Sequence, residues 1–236
     1  MQNYDLFGVG RMFCVLLQIL FLAVANVMIS KIYESNPQPN EIRKVARLLE
    51  GGGVVIVPTD TLYAFAGSLR SKQAVETIAR LKGFSIRQAK YSLLCASLSQ
   101  LSEHVRPVDK ATFALLRRAL PGPYTFILEA NGNVPRNIQN ANRTIGMRVP
   151  DNGICRALVE ELGCPLVVTS VRRLDGEQDE EYLTDPELIH ETFGSRVSLV
   201  IDGGPGGAEP STVVDCSGDT PTLLRQGKGP FDADDL

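Results

Sequence analysis

The sequence predicts an α/β domain built on a twisted, mixed sheet, and three observations carry that reading. Segments with apolar residues at helical spacing alternate with short, continuously apolar runs of the kind found in buried strands. Breaks containing glycine or proline separate them. The last two apolar runs, STVVDC and PTLLR, follow one another closely, which adds a different pairing to the α/β alternation and makes the sheet mixed.

The elements follow in order. NEIRKVARLLE places Ile42, Val45, Ala46, Leu48 and Leu49 on one helical face, with Asn40 as its N-cap and glycines after its end, and it feeds the strand VVIV. Ser71 opens a second helix along Ala74, Val75, Ile78, Ala79 and Leu81, and Gly83 closes it. Beyond a basic loop come the strand YSLLCA, a helix from Asp109 to Leu120 stopped by Pro121-Gly122-Pro123, and the strand YTFILEA. TIGMRV (144–149) reads as a strand, Gly153 to Leu162 as a helix capped by Gly163, and PLVVTSV as a strand. Asp185 to Phe193 is a helix, VSLVID a strand, and STVVDC and PTLLR close the sheet. The acidic stretch from Asp175 to Glu181 reads as a solvated loop.

At 236 residues and 44% hydrophobic content the chain is long enough for one large domain with a full core. A formal charge of −3 carries no global signal for nucleic acid, so any basic surface is local. The five cysteines are scattered, and only His104 and His190 supply imidazole, so no set of residues at ligand spacing suggests a transition-metal site. The same cysteine scatter suits reduced thiols in a cytoplasmic protein.

Phe13 to Ile29 reads FCVLLQILFLAVANVMI, an apolar run interrupted by Gln18 and Asn26. It fits a secretory signal ending near Ala23-Val24-Ala25, a membrane anchor at the short limit of a spanning helix, or an extension upstream of a start at Met28. The third agrees best with the cysteine pattern. The expected organisation is therefore an apolar extension over 1–27, one domain over 28–230 and an acidic tail over 231–236, with membrane contact not expected.

Polar groups cluster where strands end: Thr59, Asp60, Thr61 and Tyr63 after VVIV, Arg148 at the end of TIGMRV, Thr169 and Ser170 after PLVV, and Ser211 with Thr212 before VVDC. In open α/β sheets ligands collect at such ends, so hydroxyls and an arginine from separate strands suit an anion. Each residue also has a plainer reading. Thr59 and Thr61 serve equally as turn hydroxyls, Arg148 as half of an ion pair, and Tyr63 as a core ring with its hydroxyl paired. Arg80, Lys82, Arg87 and Lys90 form a basic cluster that is either a solvated face or a phosphate contact. The glycine-rich run 203–207 lacks the Walker spacing and reads as a loop.

As an ordered set, GGGVVIVPTDTLYAFAG, LPGPYTFIL, RTIGMRVP, STVVD and LLRQGKG resemble the YrdC-like family of threonylcarbamoyl-AMP synthases, and more closely its YciO-type branch, from about Lys31 to Gly229. The resemblance implies a YrdC/RibB-like fold with a large, concave, basic cavity. It also implies an activity that joins L-threonine, bicarbonate and ATP into threonylcarbamoyl-adenylate and pyrophosphate, in the service of tRNA modification. Mg²⁺ would arrive with ATP. The carbamate oxygen is already anionic, so its attack on the α-phosphate depends on positioning and charge neutralisation. On this reading Lys82 and Arg148 are catalytic, and Thr59, Thr61, Tyr63, Lys90, Thr169, Ser170, Ser211, Thr212 and Arg225 bind substrate and nucleotide. Two positions depart from the family pattern: Lys82-Gly83-Phe84 stands for Lys-x-Arg, and Ser170-Val171-Arg172 for Ser-x-Asn. Two further readings are a non-catalytic module for double-stranded RNA or tRNA using the same cavity, and an enzyme of this fold with another acyl or carboxylate substrate.

Overall fold

A computed structural model describes residues 28–171 and 181–231. Arg172 and the residues of the apolar and acidic end segments, together with most of the acidic stretch before Glu181, lie outside the described residues. The chain opens with strand β1 (Met28–Lys31) and helix α1 (Pro39–Glu50), followed by β2 (Val55–Val57) and β3 (Ala64–Ser68). Helix α2 (Lys72–Leu81), strand β4 (Ser92–Leu94), and helices α3 (Leu98–Ser102) and α4 (Lys110–Ala119) come next. Strands β5 (Tyr124–Glu129) and β6 (Thr144–Arg148) precede helix α5 (Gly153–Leu162) and strand β7 (Leu166–Ser170). Helices α6 (Glu181–Thr184) and α7 (Pro186–Phe193) then lead to β8 (Leu199–Asp202), β9 (Thr212–Asp215) and β10 (Thr222–Arg225).

These strands form one sheet in the order β1-β8-β2-β3-β7-β4-β6-β5-β9-β10. It is mixed, as expected: β8 lies parallel to β2, β4 to β6 and β5 to β9, while β3 runs antiparallel to both β2 and β7. The predicted caps hold at Ser71, whose side chain accepts a main-chain N–H bond, and at Gly163, which ends α5 at φ 63°; Asp109 and Asp185, expected as the first residues of their helices, stand one position earlier as N-caps that accept main-chain N–H bonds. Asn40 is not a cap. Pro39 takes the first helical turn, where a missing N–H costs nothing, so the helix begins earlier and Gln38 becomes the capping residue without a side-chain bond.

Alternation along the strands sorts side chains between two cores. Phe126, Ile145, Met147, Leu93, Val167 and Val214 enter the larger one, shared with α2, α4 and α7. The opposite face packs α1 and α5, through Val45, Leu49, Ile154 and Leu158, against Val55, Ala64, Leu94, Leu166 and Ile201. Among the described residues this smaller core takes none from β5, β6 or β9. The helical layer therefore covers only part of that face.

Candidate functional site

On the strands beyond α1 and α5, the second face carries Ser92, Thr125, Gly146 and Arg148, each one step out of phase with the larger core. Gly146 keeps this floor low: a Cβ there would meet Ser92 Oγ at 2.6 Å and Thr125 Cγ2 at 2.9 Å. Thr125 and Ser211 share a hydroxyl–hydroxyl bond of 2.8 Å, and Arg225 reaches the main-chain oxygen of Ser211 at 2.8 Å. The end of β10 thus lies against the floor.

The turn between β2 and β3 forms one wall. Arg148 donates through Nη2 to Asp60 Oδ1 at 2.7 Å and to Thr61 Oγ1 at 2.9 Å, with the Asp60 and Arg148 side chains only 7% and 10% exposed. The second Asp60 oxygen accepts the Asp151 N–H at 3.1 Å. Thr59 Oγ1 donates to Leu62 O and accepts the Thr61 N–H, while its distance to Thr61 Oγ1 is 3.1 Å. Lys228 closes the ring by donating to the main-chain oxygen of Asp60 at 2.7 Å. One atom in this network stands out: Arg148 Nε is buried and has no partner among the described residues.

The structure therefore unites Thr59, Thr61 and Arg148, and separately Ser211 and Arg225, around one sheet face. Lys82 joins Ser170 through a 3.0 Å bond from Nζ to the main-chain oxygen. Ser170 shares the face of Val168 in the smaller core, whereas Thr169 alternates towards that of Val167 in the larger. Lys90 is exposed on the loop before β4 and has no ion pair or side-chain hydrogen bond among the described residues.

Tyr63 follows the plainer of its two readings, a core ring with its hydroxyl paired, while Thr212, expected to bind the nucleotide, is likewise enclosed. Both are 0% exposed. The Tyr63 hydroxyl donates to Gly204 O at 2.7 Å and accepts the Gly203 N–H at 3.1 Å, so it fixes the glycine loop to β3. Burial, with smaller contributions from Asp202 and Asp185, pushes its phenol up to about 12 against the opposing Gly203 N–H. Thr212 Oγ1 holds Gly229 O and the Gly227 N–H, so it seats the C-terminal segment.

Asp60 and Lys228 are site residues to which sequence reasoning assigned no role. A signal existed for the first. A carboxylate inside VVIVPTDTLYAFAG and an arginine inside TIGMRVP each sit among residues destined for burial, and buried charges pair. The glycine run 203–207 also belongs here, since Gly207 N–H donates to Thr61 O at 2.8 Å. Two clefts, of about 410 and 290 Å³, lie elsewhere, beside Gly51, Arg70 and Ser71 and beside Thr77, Arg80 and Arg196. Neither is lined by a residue assigned to substrate. Among the described residues no three His, Cys, Asp or Glu side chains group as metal ligands.

The sequence profile of the Sua5/YciO/YrdC family, described as "Telomere recombination", matches residues 47–227. The chain belongs to this family. It is 40% identical over 199 residues to YciO of Escherichia coli, covering 84% of this chain and 94% of that protein. The crystal structure of Escherichia coli YciO superposes with a TM-score of 0.78 at 37% identity, covering 86% of this chain and 97% of that one. Among the synthases of the Sua5/YciO/YrdC family, the threonylcarbamoyl-AMP synthase of Bacillus subtilis is 32% identical over 192 residues, 79% of this chain and 53% of that protein. The structure of P. abyssi Sua5 complexed with L-threonine matches at TM-score 0.76 and 28% identity, covering 85% of this chain and 57% of that one. The chain thus spans nearly all of the YciO protein and little more than half of these two longer relatives. Among its described residues no helix is long and apolar enough to cross a membrane.

Proposed function

We propose that the chain is a threonylcarbamoyl-AMP synthase-type nucleotidyltransferase that takes ATP, L-threonine and bicarbonate on the open half of the sheet. The observation that carries this reading is the buried, unpartnered Nε–H of Arg148 in a floor of small hydroxyl residues. An unpaired buried donor costs about 1–3 kcal/mol, and more when charged, so an anionic oxygen bound there recovers that cost. The relatives named as threonylcarbamoyl-AMP synthases and the threonine complex of P. abyssi Sua5 supply the chemical class.

In this reading the carbamate oxygen of N-carboxythreonine attacks the α-phosphorus of ATP. The bond from that phosphorus to the bridging oxygen breaks, and pyrophosphate leaves with both electrons of the bond. The protein positions these groups and neutralises their charge. Arg148 holds the anionic oxygen, oriented by Asp60 and Thr61. Lys82, anchored on Ser170, and Arg225, anchored on Ser211, approach the phosphates. Mg²⁺ enters with the nucleotide as part of the substrate. Asp60 already uses both carboxylate oxygens, on Arg148 and on the Asp151 N–H, so it suits orientation of the arginine better than metal binding.

Calorimetric titration of the full chain with L-threonine, with and without a non-hydrolysable ATP analogue and Mg²⁺, tests the reading. Saturable L-threonine binding that tightens with the analogue is expected. Failure of both ligands to bind contradicts it.

A further inference from the structure

Two cations meet at Asp60, and their partners differ. Arg148 is paired with the carboxylate, whereas Lys228 donates to the neutral main-chain oxygen and has no ion pair among the described residues. An ammonium has three donor hydrogens, so one carbonyl leaves it with two more and with its full charge. That charge is held beside the Asp60–Thr61 turn, next to the arginine that carries the unpartnered Nε–H.

The segment bearing Lys228 is seated firmly. Its own N–H donates to Pro210 O at 2.9 Å, Gly227 N–H to Thr212 Oγ1 at 2.9 Å, and the Gln226 amide to Gly229 O at 2.7 Å. A Cβ on Gly227 would collide with the Pro210 carbonyl oxygen, and one on Gly229 would lie 2.6 Å from the Tyr124 ring. Glycine on either side lets the backbone press against Pro210, Ser211 and Tyr124, and Lys228 projects from between them.

Resting on the nucleotide reading of the site, we infer that Lys228 is a phosphate-binding residue of this chain, bringing the uncommitted charge of the C-terminal segment to the nucleotide's phosphates. Its approach from the Asp60 side sets it apart from Lys82, which is anchored on Ser170.

The test compares the full-length parent with Lys228→Met and Lys228→Arg for binding of inorganic pyrophosphate at low and moderate salt, by calorimetry. Thermal midpoints serve as the folding control. Lys228→Met is expected to weaken pyrophosphate binding about tenfold at low salt, with a smaller difference at moderate salt, and Lys228→Arg to keep most of the affinity. A loss equal at both salt concentrations and shared by both variants makes Lys228 a latch for the segment and overturns the assignment. Unchanged affinity in Lys228→Met overturns it too while leaving the nucleotide reading intact. A parent that binds neither pyrophosphate nor ATP overturns both.

Discussion

The chemistry of the site rests on a pair that neither partner announces alone. Asp60 and Arg148 lie 88 residues apart and meet only because β6 ends beside the turn that follows β2. Removing one member of such a buried pair leaves an uncompensated charge, so Asp60→Asn should destabilise the protein by about 3 kcal/mol in urea denaturation, well beyond a surface substitution. The hydroxyls Thr59 and Thr61 were legible as site residues from their place at a strand end. Their reading as turn hydroxyls holds as well: at 8% and 1% exposure they are as much framework as ligand contact. Thr59→Val should therefore cost about 1 kcal/mol of stability, read in the same way, as well as disturbing binding. Burial also pushes the Cys95 and Cys216 thiols and the Tyr63 phenol up to about 12, from 9.0 for the thiols and 10.0 for the phenol. The neutral forms are favoured in the fold, so their contribution is complete below the unfolded values and is lost as pH rises through the folded ones. The thermal midpoint should hold to about pH 9 and then fall progressively towards pH 12; a flat profile over that range would contradict the assignment of burial.

At the scale of elements, periodicity and caps located most helices and strands, because an amphipathic face or a capping side chain is a local property. Strands β1 and β3 and the short helices α3 and α6 were missed for a physical reason. Ala64–Ser68 is buried on both faces, so its sequence shows no apolar–polar alternation, and a helix such as Leu98–Ser102 is too short to display a repeat. The pairing of Thr125 with Ser211 depends on β5 lying parallel to β9, and topology of that kind is invisible in sequence spacing. Gly146 makes the element-level claim testable. Gly146→Ala would push a methyl into Ser92 and Thr125, so it should cost about 1–3 kcal/mol in chemical denaturation and weaken nucleotide binding by raising the floor. Loss of stability without loss of binding would place the ligand elsewhere.

Across the whole molecule, one mixed sheet is backed by the larger core from β8 to β9 on one side and only partly covered by helices on the other, and the functional groups gather on the part the helices leave. Successive strands of a sheet rotate against one another, which lets the end of β6 and the turn after β2 come together although β3, β7 and β4 separate the strands in order. The C-terminal segment completes the enclosure by crossing from β10 to Asp60. Composition and pattern made the α/β class readable, while the convergence of distant charges required the fold. The most direct measurement is pyrophosphate release by the full chain with ATP, Mg²⁺ and bicarbonate, with and without L-threonine. Release that requires both threonine and bicarbonate, with threonylcarbamoyl-adenylate as the co-product, is the result predicted. No threonine-dependent release from a protein that still binds ATP would contradict the synthase reading and leave a nucleotide site serving another reaction.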